Sequence, residues 1–274
     1  MGAARGGAPG GVGHGRTATR GPRRPLVTPP PVAVLTGAGG GLGAAVATAL
    51  AAAGSPVACA DLDAGAAQRT AEAVIAAGGA ATAHAVDVTD PTAVSGWHEA
   101  VRSALGPAGI VVNAAGAMDR GGPSELDHAG FMRVVDVNLG GTYAVIREFL
   151  PDLADAGRGR IVNIASIAGL VGYPFPSYTA SKSGVVGLTR SLLIDLWGTG
   201  ITINAVCPGA MDTAMFNAAR IPDMVRRTPL GRIVTVDEVA ATVAFLCSDA
   251  AAGINGASIP VDGGATTAFR YAEG

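Results

Sequence analysis

Val32-Ala33-Val34-Leu35 followed by Thr36-Gly37-Ala38-Gly39-Gly40-Gly41-Leu42-Gly43 is the stretch on which the fold turns. Four apolar residues in a row suit a short strand buried on both faces, and the helix formers of residues 44–53 follow the glycines. A strand, a glycine turn and a helix in that order put the free N–H groups of a helix start where a pyrophosphate can rest, with no side chain blocking its approach. The register inside the cluster stays open. Gly39-x-Gly41-x-x-Ala44 fits one dinucleotide fingerprint, while Gly37, Gly41 and Gly43 fit a T-G-x-x-x-G-x-G spacing. In a chain with 41 glycines the cluster is weak evidence on its own, so its context decides.

Outward from this unit the same alternation repeats. Residues 56–60 read as a second strand ending at Asp61, 64–77 as a helix, and 80–86 as a strand running into Asp87-Val88-Thr89-Asp90. Asp90 before Pro91 is a helix start, and that helix reaches about residue 105. Residues 110–112 form a strand before the turn Asn113-Ala114-Ala115-Gly116. In the second half, Phe131, Val134, Val145, Ile146 and Phe149 recur at helical spacing up to Pro151. Strands follow at 160–165, 201–206 and 257–261, with helices at 177–197 and 235–248 and a long irregular segment at 208–231. This predicts an α/β fold: a Rossmann-type, doubly wound, seven-stranded parallel sheet with helices on both faces, in one domain over 32–264. Residues 265–274 are expected to be a C-terminal tail.

Composition narrows the class further. Apolar residues at 49% and charged ones at 15% exclude a disordered chain. Three scattered cysteines and four histidines without ligand spacing argue against a disulfide framework or a metal site. With no apolar run near the roughly 20 residues that span a bilayer, the expectation is a cytoplasmic, metal-free protein away from membranes. The net charge of −2 gives no case for nucleic acid, although it hides an asymmetry. Residues 1–30 hold Arg5, Arg16, Arg20, Arg23 and Arg24 and no acid, which leaves −7 on the remainder. Residues 1–31, rich in glycine, proline and arginine and lacking an apolar h-region, read as a disordered basic leader or a misjudged start, with targeting or an interaction arm as alternatives.

The single lysine among nineteen basic residues is Lys182, four residues after Tyr178 and on the same helix face. An ammonium beside a phenol favours the phenolate and lowers its pKa, which would fit tyrosine for acid–base work near neutral pH. Asp61, ending the second strand about 20 residues beyond the glycines, can accept both hydroxyls of an adenosine ribose and would repel a 2′-phosphate. No cation in the glycine loop offsets it, so NAD is favoured over NADP; a helix N-cap is the structural alternative for Asp61.

Thr36-Gly37-x-x-x-Gly41-x-Gly43, Asp87, Asn113-Ala114-Ala115-Gly116, Asn138, Ser166, Tyr178-x-x-x-Lys182 and Pro208-Gly209 stand in an order and spacing that resembles the short-chain dehydrogenase/reductase family, in its compact single-domain branch. The resemblance implies that Tyr178 exchanges the proton with the substrate oxygen, Ser166 hydrogen-bonds that oxygen, and Lys182 holds the nicotinamide ribose. It further implies that Asn138 anchors a water leading the proton to solvent. Gly37, Gly41, Leu42 and Gly43 would cradle the cofactor, with Asp61 and Leu62 at the adenosine ribose and Asp87 and Val88 at the adenine. Asn113 would line the groove, and Pro208, Gly209, Met211 and Thr213 would grip the carboxamide. Ala114 departs from the second asparagine frequent in the family.

The reaction so implied moves hydride between a nicotinamide and a carbon bearing oxygen. NAD use favours oxidation. Leu170, Val171, Tyr173 and Phe175, with Met211, Met215, Phe216, Ile221 and Met224 of an apolar lid, point to a mostly hydrophobic secondary alcohol or ketone. A 3-oxoacyl-thioester reductase using NADPH shares the motif set, and Arg226 and Arg227 could meet an acyl carrier or phosphopantetheine. A non-catalytic dinucleotide sensor is a third reading, disfavoured by the intact Ser166, Tyr178 and Lys182. Ala180, Ser181, Gly184 and Gly187 would permit close helix packing between subunits, and the resemblance implies a homotetramer.

Overall fold

The structure, a computed structural model, describes residue 2, residues 30–213 and residues 218–268. Most of the leader at 1–31, Met215 and Phe216 of the expected lid, and 269–274 of the expected tail lie outside the described residues. Seven parallel strands form one sheet in the order β3-β2-β1-β4-β5-β6-β7. They are β1 (Val32–Thr36), β2 (Val57–Asp61), β3 (Ala81–Ala85), β4 (Ala108–Asn113), β5 (Arg160–Ile164), β6 (Thr202–Pro208) and β7 (Ser258–Val261). The doubly wound, single-domain arrangement expected from the alternation is the one observed. The described helices are α1 (Gly41–Ala52), α2 (Ala64–Ala76), α3 (Pro91–Ala104), α4 (His128–Val135), α5 (Gly141–Asp155), α6 (Pro176–Ser191), α7 (Ile221–Arg227) and α8 (Val236–Cys247). Among the described residues, no helix is long and apolar enough to cross a membrane.

Alternation along β1 shows how both faces are buried. Ala33 and Leu35 pack with Val46, Leu50, Val74 and Val243 of α1, α2 and α8, whereas Val32 and Val34 face Val94, Trp97 and Phe149 of α3 and α5. The chain winds one way from β1 to β3 and the other way from β4 to β7, so the crevice beyond the C-terminal ends of β1 and β4 is the topological switch point.

Helix starts follow local chemistry. Asp63, Asp90, Asp127 and Thr235 cap α2, α3, α4 and α8 with their side chains, Thr235 through a reciprocal box with Glu238. At α1 the cap is Gly40, with no side-chain bond, so the helix opens onto the switch-point crevice with its first N–H groups unused by a cap.

Several boundaries differ from the sequence reading. The helix expected over 177–197 ends at Ser191, because the chain then tightens into i→i−3 turns such as Ile194 N to Ser191 O (3.2 Å) before Gly198 and Gly200, both at positive φ. α5 continues through Pro151 to Asp155, since the buried Asp152 and Leu153 anchor its last turn. The segment read as irregular over 208–231 contains α7, where Pro222 starts the helix and Asp223 pairs with Arg226 (3.2 Å) and Arg227 (3.5 Å).

Candidate active site

Sterics give Gly37 and Gly43 defined parts in the turn. Gly37 adopts φ 68°, and a Cβ there would lie 2.7 Å from the main chain of Ala114. A Cβ on Gly43 would run into the Gly37 carbonyl. Gly41 has space, with Thr213 Cγ2 as the nearest neighbour at 3.9 Å. Gly37 and Gly43 therefore shape the turn, and Gly41 leaves open the cradle in front of α1. Gly39 is crowded as well, against Ala66 of α2. The Thr36 hydroxyl accepts from Ala114 N and Ala115 N, both at 3.2 Å, and so ties the loops after β1 and β4 together. Sequence reading gave Thr36 a place in the motif but no role.

Asp61 ends β2 at the rim of this crevice, and its carboxylate accepts from Gly39 N (2.9 Å) and Asp63 N (3.0 Å). It is not the cap of α2, a task that falls to Asp63. A cavity of about 760 Å³ runs from Gly37 and Gly40 past Asp61, Leu62, Asp87 and Val88. Asp87 is held by Thr89 through its N–H (2.9 Å) and hydroxyl (2.7 Å), bonds that keep its carboxyl below the usual range. Arg133, paired with Asp119 at 3.4 Å, is the one cation among the described residues lining this cavity, and the sequence reading did not single it out. A glycine cradle at an uncapped helix start, with a carboxylate about 20 residues on, fits a dinucleotide.

Asn113 sits beside the groove without entering it. It is buried and donates to Asn163 Oδ1 (2.9 Å), while Asn163 Nδ2 donates to Thr189 Oγ1 (3.0 Å). The groove wall at this point is Ala114 and Gly116.

A second cavity of about 290 Å³ adjoins the glycine loop and brings together Gly41, Leu42, Gly43, Ser166, Tyr178, Lys182, Pro208, Gly209, Met211 and Thr213. β5 delivers Ser166 just past its end, β6 delivers Pro208 and Gly209, and the first turns of α6 present Tyr178 and Lys182. The Ser166 hydroxyl accepts from Ala168 N (3.1 Å) and lies close enough to the Tyr178 phenol to favour its ionised form. Asn138, fully buried in a π-helical turn between α4 and α5, grips the Ala117 main chain from both sides (2.7 and 2.9 Å) and donates to Ser181 (2.9 Å). These bonds hold the loop after β4 against α6.

The expected depression of the Tyr178 pKa by Lys182 is corrected by this geometry. The Lys182 ammonium donates to Ile164 O at 2.7 Å and stands 5.8 Å from the phenol ring centroid. Burial, the largest influence, raises the Tyr178 pKa above its ordinary 10.0; the neighbouring Ser166 hydroxyl opposes it and Tyr173 adds to it. Burial likewise lowers Lys182 to about 8, partly offset by the neighbouring Cys207. Both groups are disfavoured in their charged forms by the same dry environment.

On the far side of Tyr178 a smaller cavity of about 90 Å³ is walled by Met118, Ile167, Met211 and Met224. Arg226 and Arg227 are turned to Asp223 and to solvent, not to this cavity. Of the small residues expected at a subunit contact, Ser181 is bonded to Asn138, and Gly184 receives Leu139 of its own chain; Ala180 and Gly187 are exposed.

Residues 37–266 match a family profile described as enoyl-(acyl carrier protein) reductase. The chain is 37% identical over 238 residues to cyclohexanol dehydrogenase of Acinetobacter sp. (strain SE19), covering 86% of this chain and 95% of that protein. It is 40% identical over 242 residues to cis-4-hydroxycyclohexanecarboxylate dehydrogenase of Sinomonas cyclohexanicum, covering 86% and 96%. The crystal structure of a short-chain type dehydrogenase/reductase from Mycobacterium marinum superposes with a TM-score of 0.83 at 31% identity, over 87% of this chain and 96% of that one. The chain belongs to the short-chain dehydrogenase/reductase family and is an NAD(P)-dependent alcohol dehydrogenase/ketoreductase acting on CH–OH donors.

Proposed function

We propose that this enzyme interconverts a mostly hydrophobic secondary alcohol and its ketone with NAD, using Tyr178 as acid and base and Ser166 to bind the substrate oxygen. The observation that carries the reading is that Ser166 and Tyr178 line both the cavity beside the glycine cradle, together with Lys182, and the apolar cavity next to it. Bound in the groove, the nicotinamide cofactor supplies the hydride acceptor for oxidation or the donor for reduction. Tyr178 takes the hydroxyl proton when the alcohol is oxidised and returns it when the ketone is reduced. Ser166 donates to the oxygen as its charge changes. Lys182 would meet the nicotinamide ribose, and Asn138 would steady the path by which the proton leaves. Pro208, Gly209, Met211 and Thr213 would flank the carboxamide.

The preference for NAD rests on Asp61. Its carboxylate, already taking two main-chain N–H bonds at the rim, would share its remaining acceptor capacity with a ribose diol and repel a 2′-phosphate. Steady-state assays with NAD and NADP, over a panel of secondary alcohols and 3-oxoacyl thioesters, test the whole reading. Native enzyme is expected to favour NAD and the alcohols, and Asp61→Ala to narrow the ratio of NAD to NADP efficiency. NADPH-driven reduction of the thioesters as the dominant activity would replace this reading with the acyl reductase. We propose a homotetramer in the cytoplasm; a monodisperse monomer in light scattering would contradict the assembly.

A further inference from the structure

The cavity beyond Tyr178 is lined largely by thioether, methyl and glycine surface, against which its few hydroxyls stand out. Those of Ser166 and Tyr178 face the reacting oxygen in the proposed reaction, and Thr213 also lies against Gly41 on the cradle side. Tyr173 remains. Its carbonyl accepts from Thr179 Oγ1 (3.2 Å) and its ring meets Phe175 edge-on at 5.6 Å, while its hydroxyl has no hydrogen-bond partner among the described residues. Its phenol is near enough to Tyr178 for the charge of one to disfavour the charge of the other.

The loop that presents Tyr173 is held under strain. Phe175 adopts φ 95° and ψ 77°, a left-handed conformation that a bulky residue rarely takes, and it is the one non-glycine at positive φ among the described residues. Pro176 behind it disfavours the α region at this position, and Thr179 N bonds the Phe175 carbonyl at 2.9 Å. Strain of this kind persists where the surroundings over-determine it, commonly at ligand clamps. Here it fixes the ring contact that places Tyr173 on the cavity wall.

We infer that Tyr173 is a specificity-determining residue whose hydroxyl recognises a second oxygen on the substrate, on a carbon next to or near the reacting one. The inference rests on the secondary-alcohol reading above and narrows it to substrates such as vicinal diols and their hydroxyketones, with an alicyclic or short aliphatic body against Met118, Ile167 and Met224. A half-buried phenol donating one hydrogen bond favours such a substrate on the order of tenfold over its monohydroxy analogue.

The probes are cyclohexanol and cis-1,2-cyclohexanediol, the latter carrying one carbinol of each hand, so that stereochemistry does not decide the outcome. Native enzyme is expected to show kcat/KM about tenfold higher for the diol, and Tyr173→Phe, which keeps the ring and its contact with Phe175, to bring the ratio to about one. An equal ratio in both proteins would overturn the inference. If native enzyme oxidises neither alcohol, the secondary-alcohol reading fails by itself. The role of Tyr173 is then read from the dissociation constant of the diol with the cofactor-loaded enzyme: weakening of about tenfold in Tyr173→Phe supports it, and equal constants overturn it.

Discussion

Lys182 is a buried cation whose ammonium rests on the Ile164 carbonyl, and its position carries an energetic consequence. With its pKa lowered from 10.5 to about 8, the unfolded chain holds a proton between those values that the folded chain has released, so stability rises with pH across that window. Below about pH 8 both forms are charged and the full penalty remains, about 3 kcal/mol from the pKa difference. Lys182→Met removes the charge but leaves the Ile164 carbonyl without its donor, at about 1 kcal/mol. The variant is therefore expected to be about 2 kcal/mol more stable than native enzyme in urea denaturation at pH 7, with the gain fading by pH 10.5, and to lose turnover. A variant less stable at pH 7 would show that the lysine is retained for packing. At this scale the pairing of Tyr178 with Lys182 was legible, because i,i+4 spacing is a property of the chain. The direction of the Tyr178 shift was not, because burial comes from strands and loops distant in sequence.

Among the elements, the end of α5 shows what spacing conceals. Proline at 151 reads as a stop, yet the helix runs on because Asp152 is wholly buried and accepts from Ala108 N (3.0 Å), from Arg102 of α3, and stands 3.2 Å from His98 Nε2. This carboxylate links α3, α5 and the first residue of β4. Asp152→Ala would leave the buried Ala108 N–H without its acceptor and Arg102 without its ion-pair partner. A loss of about 3 kcal/mol is expected, read as a lower urea midpoint with an unchanged m-value. A change within about 0.5 kcal/mol would mean that the link is ornamental to stability. The helix start marked by Asp90 before Pro91 was legible from capping chemistry alone. The contact across 44 residues from Asp152 to Ala108 was not, nor was α7, whose support is a set of exposed ion pairs and no buried face.

Across the whole molecule, the sheet order turns a local glycine signal into a groove. β1 and β4 are neighbours at the point where the winding reverses, so the loops after Thr36 and Asn113 face one another and Thr36 can bond both Ala114 and Ala115. Strand alternation made this topology readable, since right-handed crossovers leave few alternatives. The apolar cavity with Tyr173 was less readable, because Met118, Ile167 and Met224 come from three separate loops and helices. The whole arrangement converges on proton transfer at Tyr178, and one measurement decides it. Tyr178→Phe, assayed beside native enzyme for alcohol oxidation and for NAD binding, is expected to lose at least about a hundredfold in kcat while binding NAD with an unchanged dissociation constant. Turnover retained within a few-fold of native would contradict the assignment of Tyr178 as the acid and base.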